Sequence, residues 1–216
     1  MFNFFLKIIR KIKYKVRNHY RTYVVFNYLS YNSIFIDIGG NLGNVSQYVQ
    51  DICQPKLIEI YEPHNLLYLN LKSRFKKYKN INIYNFAVSN SNSQGLLYLR
   101  NKNENDLKLL EGSSLEKNKK NINNQYYQKI NLIDVQKIIS NFEFIDCIKI
   151  DIEGHEYKIL DTLIRNKNKI GKIICEFHGT DADIAINKNQ EFRESFLKYK
   201  DIINKLTEDK WLVMWH

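Results

Sequence analysis

The residues with chemical potential in this sequence are carboxylates that close apolar runs. Asp37 follows Ile34–Ile36, Glu62 follows Leu57–Tyr61, Asp151 follows Ile145–Ile150 and Glu176 follows Ile170–Cys175. Glu153, His155, Glu156 and His178 crowd the last two. Such groups can accept hydroxyl hydrogens, take a proton from a reacting hydroxyl, or ligate a hard divalent ion. Runs of this length and composition read as buried strands, and in an open α/β sheet the ligand crevice lies outside the carboxyl ends of the strands. One crevice would therefore gather all four carboxylates.

The turn after Asp37 indicates what the crevice holds. Gly39, Gly40 and Gly43 follow in quick succession, and a glycine-rich turn lets a ligand approach the main chain closely. Val45, Tyr48, Val49 and Ile52 then recur at helical spacing, so the turn leads into a helix N-terminus with free N–H groups. The lysine and hydroxyl residue of a phosphate-binding loop are absent, as is the third glycine of the dinucleotide fingerprint. The remaining pattern, Asp-x-Gly-x-x-x-Gly, suits a cofactor with a nucleoside and an amino-acid tail but no phosphates. Glu62 stands at the end of the second strand, where an acidic residue accepts the hydroxyls of a ribose diol. The plainer reading of Glu62 is a carboxylate favoured by a helix N-terminus, with Pro63 opening that helix.

Strands and helices alternate along the chain at the pitch of a parallel sheet with right-handed crossovers. A helix is predicted over 66–78, with Leu66, Leu67, Leu69 and Leu71 inward, then a strand over 81–86. After a turn at 89–95, residues 96–99 return as an antiparallel strand, forming a small β excursion. Residues 100–125 are rich in Asn and Lys and lack periodicity, which predicts a long lid or disordered loop. A strand over 128–132 and a helix from Asp134, with Val135, Ile138 and Ile139 inward, lead back to the main sheet. Ile159, Leu160, Leu163 and Ile164 mark the buried side of the helix after Asp151. The C-terminal part reads as a helix over 192–206 and a strand over 211–215.

A chain of 216 residues suits one α/β domain with an appendage. Of the net charge of +10, Lys7, Arg10, Lys11, Lys13, Lys15, Arg17 and Arg21 account for +7 with no acidic residue among them. The basic character belongs to an N-terminal arm, residues 1–30, and not to the domain over 31–216, so nucleic acid is not the expected partner. The arm interleaves its charges with Phe2, Phe4, Phe5, Leu6, Ile8, Ile9 and Ile12, as one or two amphipathic helices would. Lys7 interrupts the apolar run too early for a signal peptide, and no stretch is long enough to span a membrane. The commoner fate of such a helix is packing on its domain; the alternative is peripheral contact with an anionic membrane through residues 1–21. Cys53, Cys147 and Cys175 are odd in number and widely spaced, which fits buried thiols in a reducing, cytoplasmic compartment.

With these segments assembled, the sequence resembles the FkbM family of S-adenosylmethionine-dependent methyltransferases. FIDIGGNLGN (35–44) is similar to the family's first motif, YEP (61–63) to its second and NFAVS (85–89) to its third. IKIDIEGHEYKIL (148–160) is similar to its signature fourth motif, and ICEFH (174–178) to the strand that follows. The resemblance implies a class I methyltransferase fold: an α/β, Rossmann-like three-layer sandwich with a mostly parallel sheet, here preceded by the helical arm. It implies methyl transfer from S-adenosylmethionine, commonly to a hydroxyl of a sugar, glycan or related small molecule. By position it implies that Asp37, Gly39, Asn41 and Gly43 line the methionine side of the cofactor, Glu62 its ribose, and Phe86 and Ala87 its adenine. One departure stands out. Such folds usually finish with a reversed hairpin that supplies a sixth and a seventh strand, whereas one strand follows the last helix here. The seventh strand is missing or the chain is truncated, which would leave Trp211 and Trp215 more exposed than their size suggests and leaves oligomer formation open.

Methyl transfer from a sulfonium to a hydroxyl needs alignment, worth about 7–11 kcal/mol, and a proton acceptor, worth about 10²–10⁴ in rate. Asp151, Glu153, His155, Glu176 and His178 are the candidates for the chemistry. Asp151 and Glu153 are expected to orient the acceptor hydroxyl, and His178 to take its proton. The plainer reading of either histidine is a hydrogen-bonded loop residue. The same cluster offers ligands for a divalent ion, but carboxylates at strand ends more often bind cofactor, cap helices or position substrate, and no metal is expected. Two other functions stay open. One is ribose 2'-O-methylation of RNA through a Lys-Asp-Lys-Glu tetrad drawing on Asp151, Lys15 and Lys188; the other is a non-catalytic module that binds cofactor or glycan.

Overall fold

Successive residues of a strand point to opposite faces of its sheet, and the central strands here are apolar on both. The computed structural model describes residues 26, 28–100, 112–119, 122–181, 183 and 189–215. Most of the predicted arm, and residues 101–111 and 120–121 of the predicted lid, lie outside the described residues. Six strands form the main sheet: β1 (Ile34–Ile38), β2 (Leu57–Tyr61), β3 (Ile81–Tyr84), β7 (Ile145–Ile150), β8 (Ile170–Cys175) and β9 (Leu212–Met214). Their order is β3-β2-β1-β7-β8-β9, and every neighbouring pair is parallel.

Phe35, Cys147 and Ile174 face a core shared with Phe26, Val49, Leu71 and Phe75. Their neighbours Ile36, Ile148 and Ile173 face a second core with Ile139, Ile159, Leu163 and Ile203. The first core is closed by α1 (Asn44–Cys53) and α2 (Asn65–Arg74), the second by α3 (Val135–Ser140), α4 (Glu156–Arg165) and α5 (Gln190–Glu208). This is the three-layer, doubly wound arrangement that the alternation of elements predicts. No described helix is long and apolar enough to cross a membrane, and the three cysteines are free thiols.

Several local expectations are corrected. In α2 the buried residues are Leu67 and Leu71, while Leu69 is 59% exposed, because a period of 3.6 puts position 69 on the opposite face. The helix is opened by His64, whose Nδ1 accepts from the Leu66 N–H at 3.2 Å, and not by Pro63. The antiparallel return strand does form a small β excursion outside the main sheet, longer than predicted: β5 (Ser93–Leu99) and β6 (Asn123–Asp134) make a separate three-stranded sheet with β4 (Ala87–Ser89) around a small core of Ala87, Leu97, Leu99 and Ile130. The segment expected to lack structure is anchored at residues 112–119, where Ser114 and Tyr98 exchange two backbone hydrogen bonds.

The C-terminal strand also departs from expectation. β9 pairs directly with β8, so the main sheet has no antiparallel strand among the described residues. Trp211 is therefore 6% exposed, with its Nε1 donating to the Ile170 carbonyl at 2.7 Å. Trp215 packs its ring on Phe26, centroids 5.8 Å apart.

Gly43 caps α1 at φ 78°. A Cβ there would meet Leu71 Cδ2 at 2.6 Å and Phe75 Cε2 at 2.7 Å. Gly43→Ala should lower stability by about 1–3 kcal/mol through overpacking, read as a lower urea midpoint at unchanged slope.

Candidate active site

Lys149 is the fifth residue of β7, flanked by Ile148 and Ile150, and its register partner on β1 is Asp37. Its ammonium is buried and donates to the Gly39 carbonyl at 2.7 Å. It lies 3.2 Å from Asp37 Oδ1 and 3.8 Å from Asp151 Oδ2. Burial works against its charge, but Asp37 and Asp151 outweigh that and raise its pKa. Ser46 Oγ donates to the other Asp37 oxygen at 2.6 Å. The glycine turn and the end of β7 are also in direct contact, since a Cβ at Gly39 would sit 1.9 Å from the Asp151 carbonyl oxygen.

Beyond this junction lies an open cleft that Gly39, Glu62, Ala87 and Asp151 help to line. Glu62 Oε2 accepts from the Asn41 N–H at 2.8 Å and Glu62 Oε1 from the His64 N–H at 2.9 Å, which fixes the carboxylate and leaves each oxygen further acceptor capacity. Burial pushes Glu62 up to about 7, against the two backbone hydrogen bonds and Lys149. Phe86, Ala87 and Leu97 supply an apolar wall, and Asn41 Oδ1 is buried on the cleft without a hydrogen-bond partner. These groups fit a ligand with a diol at Glu62, a flat apolar ring at Phe86 and Ala87, and a donor at Asn41. That is the donor set of S-adenosylmethionine.

Asp151 and Glu153 also line the cleft. Glu153 takes a left-handed backbone at φ 57° and is clamped from two sides, by the Lys119 ammonium and by His178 Nε2 at 3.2 Å. Burial opposes its charge, but His178 and Lys119 prevail and hold it at about 2. His178 also meets Glu156 Oε1 through Nδ1 at 2.5 Å. Burial disfavours the imidazolium, yet Glu156 and Glu153 raise its pKa to about 11. Segment 112–119 is tied to the same loop, with Ser114 Oγ donating to the Glu153 carbonyl and Glu116 pairing with His155, and is closed on itself by Lys119 Nζ donating to the Gly112 carbonyl. Residues 112–115 thereby complete the cleft wall.

Glu176 lies next to Asp151, since Ile150 pairs with Cys175 and the Glu176 N–H donates to the Ile150 carbonyl at 2.9 Å. Its carboxylate is half-buried and accepts no hydrogen bond among the described residues. Burial and then Asp151 push it up to about 7. Asp151 is raised as well, by burial against the pull of Lys149.

Of the residues expected to touch cofactor, Gly39, Asn41, Glu62, Phe86 and Ala87 line the cleft. Asp37 does not; it is fully buried against Lys149 and Ser46. Gly43 does not either, because it faces Leu71 and Phe75. His178 is corrected from proton acceptor to buried cation, with both ring nitrogens engaged by carboxylates. Sequence reasoning missed Lys149, Ser46 and Lys119. The available signal was a lone lysine inside the buried run Ile145–Ile150, which must find anionic partners. Among the described residues no group of three or more His, Cys, Asp or Glu is arranged to hold a metal ion. Lys15 and Lys188, the lysines of the tetrad reading, lie outside the described residues.

Lys149→Met should destabilise by about 3–5 kcal/mol because it strands buried Asp37, whereas Asp37→Asn with Lys149→Met should recover much of the loss. Urea unfolding of the two variants decides this, and additive losses would contradict it. His178 supplies a pH test. A histidine held charged in the fold contributes stability fully present below about 6.5 and lost as pH rises through about 11. The stability difference between wild type and His178→Gln should therefore shrink across that window in urea melts.

The sequence profile of the methyltransferase FkbM domain matches residues 37–207. No curated protein matches the chain. Among solved structures, the methyltransferase FkbM from Methylobacillus flagellatus KT aligns at 15% identity and TM-score 0.44, over 65% of this chain and 31% of that one. An rRNA methylase from Streptococcus thermophilus aligns at 9% identity and TM-score 0.42, over 80% of this chain and 75% of that one. The precorrin-6y C5,15-methyltransferase from Geobacter metallireducens GS-15 aligns at 13% identity and TM-score 0.42, over 82% and 68%. The chain thus spans about a third of the length of the first of these proteins. With the family profile covering most of the sequence, from the strand-end aspartate Asp37 into α5, the chain belongs to the FkbM methyltransferase family.

Proposed function

We propose that this chain is an S-adenosylmethionine-dependent O-methyltransferase acting on a hydroxyl of a sugar, glycan or related small molecule. The observation that carries the reading is a cleft lined by both Asp151 and an acidic diol acceptor, Glu62, with Glu176 beside Asp151 at the neighbouring strand end. S-adenosylmethionine, held by Glu62, Asn41, Phe86 and Ala87, would supply an electrophilic methyl group for transfer to the acceptor oxygen.

The chain's own residues do the remainder. Glu62 accepts the ribose hydroxyls and Phe86 and Ala87 receive the adenine. Asn41 Oδ1 accepts from the ammonium of the amino-acid tail. Asp151 orients the acceptor hydroxyl, and its proton passes to the Asp151–Glu176 pair. A base is most effective when its pKa lies near the working pH, and Glu176 at about 7 meets that condition. Glu153 and His178 are already paired with each other, so they set the shape and charge of the acceptor end and do not take the proton.

Glu62→Ala should weaken S-adenosylmethionine binding by about 1.5–3 kcal/mol, the value of hydrogen bonds to a charged group; equal affinity by calorimetry would remove the ribose assignment. Glu176→Gln should slow transfer of a labelled methyl group by about 10²–10⁴ with cofactor affinity unchanged. His178→Gln, in contrast, should lose stability before it loses the pH dependence of the rate. Pooled sugars, glycans, sugar nucleotides and capped RNA, incubated with the labelled donor, identify the acceptor class. Cofactor binding without label in any pool favours a binding module.

A further inference from the structure

The main sheet has an open side at β3, an outer strand that among the described residues pairs with β2 alone. The Asn80 and Tyr84 carbonyls accept from the N–H groups of Ile58 and Glu62 on that neighbouring segment. Peptide groups alternate sides along a strand, so Ile81 and Ile83 direct theirs away from β2. A groove open to solvent runs along this side, and residues 81–84 all line it. Successive side chains point to opposite faces of a sheet, so a groove that touches four consecutive residues follows the strand's edge. Buried Phe75 and exposed Lys72 and Lys76, from the end of α2 and the turn after it, line the groove as well.

The charge here is of one sign. Lys72, Arg74, Lys76, Lys77 and Lys79 fall within residues 72–79, and the sequence has no Asp or Glu from 63 to 103. Arg74 is engaged at the start of α1, donating to the Leu42 carbonyl at 2.5 Å and to Asn44 Oδ1 at 2.9 Å. The four lysines are exposed, with the Lys77 ammonium 4.8 Å from the centre of the Tyr78 ring. One carboxylate, Asp51 of α1, reaches the margin through Gln47, whose amide donates to Asp51 Oδ1 at 2.8 Å and to the Tyr78 hydroxyl at 3.1 Å. Lysines beside an open edge repel a second copy of the same edge and attract a strand of opposite charge. A free edge offers main-chain hydrogen bonds to one extended chain, and the flanking side chains select which chain. A bilayer is too broad to enter such a groove, and a nucleic acid would use the lysines and leave the peptide groups unused. We propose that the β3 edge is a docking site for an extended acidic segment of another polypeptide, which adds to the main sheet beside β3 with its carboxylates at Lys72 and Lys76.

The test uses the full chain and a fluorescent peptide of alternating Glu and Val, read by anisotropy, with amide hydrogen exchange of the protein as a second readout. The peptide should bind, exchange at the Ile81 and Ile83 amides should slow, and affinity should fall as salt rises. The double variant Lys72→Glu, Lys76→Glu should weaken binding about tenfold or more, with the urea midpoint unchanged because both side chains are exposed. N-methylation of the peptide's alternate amides should weaken binding comparably, since it removes main-chain donors. No binding, binding indifferent to the double substitution, or binding without protection of Ile81 and Ile83 overturns the proposal. So does preferential binding of poly(U) or of phosphatidylserine vesicles, which would make the patch a nucleic-acid or membrane contact, and so does dimerisation that protects Ile81 and Ile83 with no peptide present.

Discussion

A single ammonium buried in the middle of a sheet organises this protein's site. Removing a lysine from water costs several kcal/mol and is tolerated only where partners replace the lost hydration. Lys149 finds them in Asp37 on the neighbouring strand, the Gly39 carbonyl in the turn, and Asp151 at the end of its own strand. Because those three groups belong to the two sequence motifs that build the cleft, satisfying one lysine fixes the motifs against each other. The contact between Gly39 and the Asp151 backbone, too close for any side chain, completes the junction.

Charge is then distributed unequally around this junction, and the inequality assigns roles. Glu153 and Glu176 stand at adjacent strand ends, yet one is held at about 2 by His178 and Lys119 against burial, and the other is raised to about 7 by burial and Asp151. Titratable groups pushed apart in this way are the mark of divided labour in a site. Glu153, fixed as an anion, secures the 112–119 segment that walls the cleft. Glu176, left able to gain and lose a proton near neutral pH, is the group to which the proposed mechanism gives the acceptor's proton.

Much of this was legible in the sequence, and the failures share one cause. Strand ends, the glycine turn and the apolar faces of the helices are local patterns, so the three-layer parallel sheet and cleft residues such as Gly39, Glu62 and Ala87 could be read from spacing and motif. Asp37 belongs to the same motif, but its side chain points away from the cleft toward Lys149, a residue 112 positions later. His178 looked available as a base because its two carboxylate partners come from elsewhere in the chain, Glu153 in the loop after β7 and Glu156 at the start of α4. The burial of Trp211 depends on β9 docking beside β8, which no local pattern specifies. Pairing across the fold, rather than periodicity along the chain, decided each of these.

The central claim is that methyl transfer draws its proton acceptor from the Asp151–Glu176 pair. Single-turnover transfer at saturating cofactor, followed against pH, tests it most directly, because the rate then reports the ionisation of the assembled site. The account predicts a rate that rises through an apparent pKa near 7, a property of the coupled pair, and a Glu176→Gln variant that lacks this limb. A rate indifferent to pH on both sides of neutrality, or a limb that survives Glu176→Gln and disappears with His178→Gln, would contradict it.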